Sequence, residues 1–205
     1  MRIIKELSST AVLILFVLIA PGGSIASDSN SDQYIDMFKG NPDADFTIVE
    51  YASFTCPHCA SFHKEVLPYL TEKYVDTGKV KFVYREVYFD APGLWAGLLA
   101  RCTKKEKYFG IVDLLYKRQE KWAAGSSEKE ILRELFSIGR QVGIEEEKIN
   151  SCFKNKNKSL NLVDAYLKNS RSDQITSTPS LVVNGKLLDY SSFDDLKTKL
   201  DGILN

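Results

Sequence analysis

The residues Phe46 to Cys59, FTIVEYASFTCPHC, decide the fold. The first six, Phe46-Thr47-Ile48-Val49-Glu50-Tyr51, are β-branched or aromatic at every position but one and read as a strand. Ser53 to Cys56 leave that strand, and from Pro57 to about Thr77 the apolar residues Phe62, Val66, Leu70 and Tyr74 fall four apart, as on one face of a helix. Pro68 should kink this helix and Gly78 should end it. Lys79 to Val87 (KVKFVYREV) then alternates polar and apolar as a second strand. Cys56 therefore stands where a strand hands over to a helix. Free backbone N–H groups and the helix dipole favour an anion there, which lowers the pKa of a thiol. Cys59 lies one turn further in, placed to attack Cys56 and resolve a mixed disulfide. Between them, Pro57 opens the helix, and a protonated His58 adds positive charge.

Beyond the second strand, Leu94 to Arg118 carries apolar residues at helical intervals. Gly125 to Glu128 breaks the pattern, and Ser126 or Ser127 caps a helix running to Val142, closed by Gly143. Two further helical pieces span 145–154 and 159–169. Strand character returns with Ser180-Leu181-Val182-Val183. Asn184-Gly185 is a two-residue hairpin turn, and Lys186 to Tyr190 is the return strand. A last helix, capped by Ser191 or Ser192, presents Phe193, Leu196, Leu200 and Ile203. Strand–helix–strand followed by strand–strand–helix describes an α/β sandwich with a helical block inserted.

The start of the chain is of another kind. Arg2 and Lys5 precede the unbroken apolar run Ala11 to Ala20, and Ser24-Ile25-Ala26 supplies small residues at a cleavage site. This is the pattern of a secretory signal peptide cut after Ala26; an uncleaved anchor is the alternative reading. Taking Arg2, Lys5 and Glu6 from 27 basic and 27 acidic residues leaves 25 against 26, a net charge of −1. That balance gives no electrostatic reason to bind nucleic acid. All four cysteines, Cys56, Cys59, Cys102 and Cys152, lie in the exported part, where an even count points to two pairs. Cys102 and Cys152 sit in helical patterns bordered by Leu98, Leu99 and Phe153. They are read as a structural disulfide, against two buried free thiols. Domain bounds of 1–26, 27–92, 93–171 and 172–205 follow, the third being the helical insertion.

Cys-x-x-Cys spacing also serves zinc. Cys56, Cys59 and His63 supply three ligands, but a fourth is missing, so neither metal nor cofactor is expected and His63 reads as a partly exposed helix residue. Thr178-Pro179 belongs at a strand start, since proline cannot donate into a central ladder. It is either an ordinary trans proline or a cis proline facing the sulfurs, with the Thr178 backbone free to pair with an extended substrate. Glu50 either points to solvent or is a buried acid that relays the Cys59 proton.

Tyr51-Ala52-Ser53-Phe54-Thr55 leading into Cys56-Pro57-His58-Cys59, with Thr178-Pro179 and Val183-Asn184-Gly185-Lys186, resembles the DsbA family of thioredoxin-fold periplasmic oxidoreductases. The likeness covers the mature chain, helical insertion included. It implies a thioredoxin fold, a central mixed β-sheet flanked by helices with an inserted helical domain. It also implies that Cys56 is the nucleophile, Cys59 the resolving thiol, His58 the thiolate stabiliser, Pro179 cis and Glu50 the buried acid. Its expected partners are reduced extracytoplasmic substrate proteins and a membrane re-oxidising protein of the DsbB type. The second cysteine pair resembles that of alphaproteobacterial members, while Ser177 replaces the glycine that many relatives carry. An oxidase is the leading reading. An isomerase or reductase using the same thiols, and a metal-binding or chaperone-like module without turnover, are the alternatives.

Overall fold

The computed structural model describes residues 33–205, so the N-terminal apolar run and its cleavage site lie outside the described residues. β1 (Met37–Lys39) and β2 (Phe46–Ala52) lead into α1 (Pro57–Glu65) and α2 (Leu67–Leu70), followed by a π-helical turn over Thr71–Val75 and β3 (Val80–Glu86). Six helices come next: α3 (Ala91–Ala100), α4 (Lys105–Lys117), α5 (Gln119–Trp122), α6 (Glu128–Gln141), α7 (Glu146–Lys154) and α8 (Lys156–Ser172). β4 (Ser180–Val183), β5 (Lys186–Leu188) and α9 (Phe193–Leu204) complete the described chain.

The sheet order is β1-β3-β2-β4-β5. β2 runs parallel to β3 (Glu50 opposite Tyr84) and antiparallel to β4 (Glu50 opposite Leu181), which makes the sheet mixed. Side chains of a strand alternate between its faces. On one face Ile48, Ala52, Phe82, Tyr84 and Leu181 join a core completed by α1, α9 and the inserted helices. On the other, Val49, Tyr51, Val83 and Val182 are covered by Tyr166 of α8 and by Ile175. The sheet is therefore the middle of three layers. At its far edge Asn184 and Gly185 take positive φ, +47° and +80°, which closes the two-residue hairpin.

Two local readings are corrected, and one strand is added. The long helix after Cys56 is broken: α1 stops at Glu65, Val66 departs to φ −106°, and Pro68 sits in the first turn of α2, where its missing N–H is harmless. The stretch Leu94 to Arg118 is two helices, parted at 101–104, so Cys102 lies in the connecting turn. β1 was not foreseen; three residues pairing antiparallel with β3 are too few to display a period.

Candidate active site

Cys56 is the N-cap of α1, extended at φ −84° and ψ 118°, with Pro57 in the first turn. Its half-buried sulfur lies 3.5 Å from the carbonyl oxygen of Thr178. The Thr178–Pro179 bond is cis, and the Pro179 carbonyl accepts a hydrogen bond from Tyr190 at 2.7 Å. The motif and this loop meet across the sheet end because β2 and β4 are neighbours.

The two sulfurs occupy opposite environments. The Cys56 thiol is lowered from 9 to about 5, chiefly by a hydrogen bond from Cys59. Further bonds come from the Thr178 side chain and from the backbone N–H groups of Cys59 and His58, partial burial opposing them all. Cys59 is wholly enclosed, and burial pushes its thiol far up, helped by its hydrogen bond to Cys56 and by the charge on Glu50. Pro57 and His58 are exposed, and what His58 lends to the Cys56 sulfur here is its backbone N–H. With Thr178, Pro179, Leu188, Tyr190 and Phe193, His58 lines an open groove of about 570 Å³ beside the sulfurs.

Glu50 is wholly buried, on the β2 face that carries Ile48 and Ala52. Its Oε2 lies 3.0 Å from Nε2 of His63. His63 is partly exposed as a residue, as read from the sequence, but its side chain is only 4% exposed, because it follows Cys59 by one helical turn on the face that α1 turns inward. The ring lies 4.0 Å from the Tyr116 ring and meets Tyr84 edge-on.

Sequence reasoning missed the residues that the helical block sends into this site. The buried Gln119 amide donates to the carbonyls of Phe54 (2.8 Å) and Cys56 (2.9 Å). The Tyr116 hydroxyl reaches the Ser53 carbonyl (3.1 Å) and the Tyr84 hydroxyl (2.7 Å). Thr55 donates to Asp90, the N-cap of α3, at 2.8 Å. All of these are bonds between distant parts of the chain, for which no local pattern exists.

Cys102 and Cys152 are joined, with Cα atoms 5.8 Å apart, which ties the turn after α3 to α7. Among the described residues no three His, Cys, Asp or Glu side chains group to hold a metal ion, and no helix is long and apolar enough to cross a membrane.

A family model described as Thioredoxin matches residues 33–202. A Rickettsia conorii protein named as a protein-disulfide oxidoreductase is 34% identical over 170 residues, 82% of this chain and 60% of its own length. The chain thus spans less than two thirds of the length of the Rickettsia relatives it matches. A Bacillus cereus protein named disulfide bond formation protein D is 30% identical over 211 residues, 94% of this chain and 92% of that one. Among solved structures, alpha-DsbA1 of Wolbachia pipientis superposes with a TM-score of 0.71 at 28% identity, covering 84% of this chain and 94% of that one. With the thioredoxin fold matched from β1 to α9 and both sets of relatives named for disulfide chemistry, the chain belongs to the DsbA family of thioredoxin-fold proteins.

Proposed function

We propose that this chain is a thiol:disulfide interchange enzyme that works in the oxidising direction, passing a Cys56–Cys59 disulfide to reduced substrate proteins. The observation that carries the reading is the contrast between the sulfurs, one half-exposed and held near pKa 5, the other enclosed and kept protonated. A substrate thiolate attacks Cys56, the Cys56–Cys59 bond breaks, and Cys59 leaves with the electron pair and takes up a proton. A second substrate thiolate then attacks its partner sulfur in the mixed disulfide and expels Cys56 as a thiolate. Two substrate thiols become one disulfide, one of their protons in effect going to Cys59 and the other to solvent. Because Cys56 is comfortable as an anion, it is a good leaving group and the reduced form is stabilised, which is what makes a dithiol pair an oxidant.

In this reading Pro57 and His58 shape the first turn, Thr178 and Pro179 present backbone to an extended substrate in the groove, and Glu50 serves the Cys59 proton. The Cys102–Cys152 bond is structural. Residues 1–26 are a signal peptide, and the mature chain works in the periplasm and is re-oxidised by a DsbB-type membrane protein. The domain division is 27–92 and 172–205 around the insertion 93–171.

The test is equilibration of the Cys56–Cys59 pair with glutathione, read by mass spectrometry after acid quenching. A potential towards about −120 mV, that of DsbA itself, supports the oxidase; one near about −270 mV assigns the protein to reduction instead. Failure of Cys59→Ser to trap mixed disulfides through Cys56 would remove the interchange reading altogether.

A further inference from the structure

Behind the sulfurs lies a pair of groups of which only Glu50 has so far been given a part. Glu50 and His63 are both enclosed, 0% and 4% exposed at the side chain, and face each other at 3.0 Å through Oε2 and Nε2. The other polar atom of each, Glu50 Oε1 and His63 Nδ1, is buried without a hydrogen-bond partner in the protein. A buried carboxyl and imidazole that leave half their polar atoms unsatisfied are costly to keep for stability alone. The surroundings offer no competing charge at contact range. Tyr84 of β3 and Tyr116 of α4 direct their hydroxyls to each other and to the carbonyls of Ala52 and Ser53, and Tyr190 is committed to Pro179. Glu86 of β3 is neutralised by a two-pronged bond from Arg101, at 2.6 and 2.8 Å, with Tyr108 donating as well. The groups left to answer the charge on Glu50 are His63 and the two cysteines of α1.

We propose that His63 is the positioning residue and proton partner of Glu50: carboxyl and imidazole hold one proton between them, and it is this proton that Cys59 exchanges when it enters or leaves the disulfide. The inference rests on the interchange reading and assigns its proton. When Cys59 attacks a mixed disulfide at Cys56, its S–H proton passes to the pair at Glu50. The new Cys56–Cys59 bond forms, the bond from Cys56 to the outer sulfur breaks, and the outer thiolate takes a proton from solvent. In the opposite direction Cys59 leaves as a thiolate and recovers a proton from the pair, which solvent then replenishes. The raised thiol of Cys59 and the part that the Glu50 charge has in it agree with this coupling.

The reduced protein mixed with cystamine gives a reaction with two separable phases. The first, formation of the Cys56–cysteamine mixed disulfide, needs Cys56 alone. The second, its resolution by Cys59, needs the proton transfer. Acid quenching and mass spectrometry resolve the two. His63→Gln, which keeps an N–H of similar reach but does not titrate, and His63→Phe should keep the first phase. Both should slow the second about a hundredfold near neutral pH, the low end of general acid–base contributions. The second phase should then climb about tenfold per pH unit, as for a thiol ionising unaided. Glu50→Gln should do the same, and adding His63→Gln to it should cost nothing more, as for residues that act as one unit. A second phase of wild-type rate and pH profile in His63→Gln overturns the inference, as do multiplying effects in the double variant. Loss of the first phase in both His63 variants makes the residue structural and overturns it too. Absence of the first phase in the unaltered protein sinks the interchange reading instead, so the two failures are distinct.

Discussion

Lowering the pH from about 8 to about 5 should strip the reduced protein of a stabilisation that the oxidised protein never had. Cys56 titrates at about 5 when folded, against an ordinary value of 9. A group whose folded pKa is depressed stabilises the fold above its unfolded pKa, and that stabilisation is lost as pH falls through the folded value. At about 1.36 kcal/mol per unit, the contribution is about 5 kcal/mol above pH 9, about 2.7 kcal/mol at pH 7 and close to zero below pH 5. Solvent screens a half-exposed sulfur, so these are upper figures and roughly half of each is a fair lower one. Cys59 has the opposite sign: its folded value is raised, so its contribution is present below about pH 9 and fades only above it. In the window from 5 to 9 Cys56 therefore governs.

The disulfide form holds neither thiol, and the remaining titrating groups are common to both forms. The difference in unfolding free energy between reduced and oxidised protein thus isolates the sulfur. Denaturant titrations of both forms at pH 5, 6, 7 and 8 should show that difference rising by up to about 1.4 kcal/mol per pH unit. Closure of the short Cys56–Cys59 loop adds an offset to the oxidised form but no slope. At pH 7 the upper figure corresponds to about 60 mV of added oxidising power. A difference that stays flat from pH 5 to 8, or a midpoint for Cys56 alkylation near 9, would refute the reasoning.

Gln119→Leu should unbind two carbonyls at the head of α1, costing about 1–3 kcal/mol in denaturant unfolding and raising the Cys56 alkylation midpoint; an unchanged midpoint makes Gln119 a packing residue only. Arg101→Met leaves the Glu86 carboxylate buried with Tyr108 as its side-chain donor, so unfolding should cost about 3–5 kcal/mol less, and the double change with Glu86→Gln should recover part of that. Replacing Cys102 and Cys152 by serine opens a link that spans 50 residues, worth at most about 4 kcal/mol. That variant should melt earlier by calorimetry and still exchange thiols with cystamine; loss of exchange in the folded variant would give the bond a second role.

What the sequence made legible was whatever a short window can hold. The strand into Cys56, the helix it opens, and the Asn184-Gly185 hairpin each follow from neighbours in the chain. The likeness of those segments to the DsbA family then carried the fold. His63 shows the limit. Its position one turn after Cys59 was visible, but the apolar stripe of Phe62, Val66, Leu70 and Tyr74 drew the inward face of α1 one residue to the side. Only the approach of β2 and α4 reveals that the His63 side chain is enclosed. Glu50 was open between solvent and core for the same reason, since a strand covered on both sides shows no alternation.

The helical block is more than an addition to the fold, and the site shows why. A thiolate at a helix N-terminus depends on the first turn holding its N–H groups on the sulfur, and that turn follows a loop with few bonds of its own. The loop is instead fastened from the block and from Asp90, just before it. Tyr116 grips Ser53, Gln119 grips Phe54 and Cys56, and Asp90 grips Thr55, so each residue from Ser53 to Cys56 is tied to a part of the chain beyond β3. Tyr116 also closes over His63, which shuts Glu50 away from water. The asymmetry of the two sulfurs thus has two sources. The strand–helix junction provides an anion site for Cys56, and the block provides the seal that keeps Cys59, Glu50 and His63 dry. A change in the block that loosens α4 or α5 should therefore reach both sulfurs, Cys59 through its burial and Cys56 through the carbonyls that hold the head of α1.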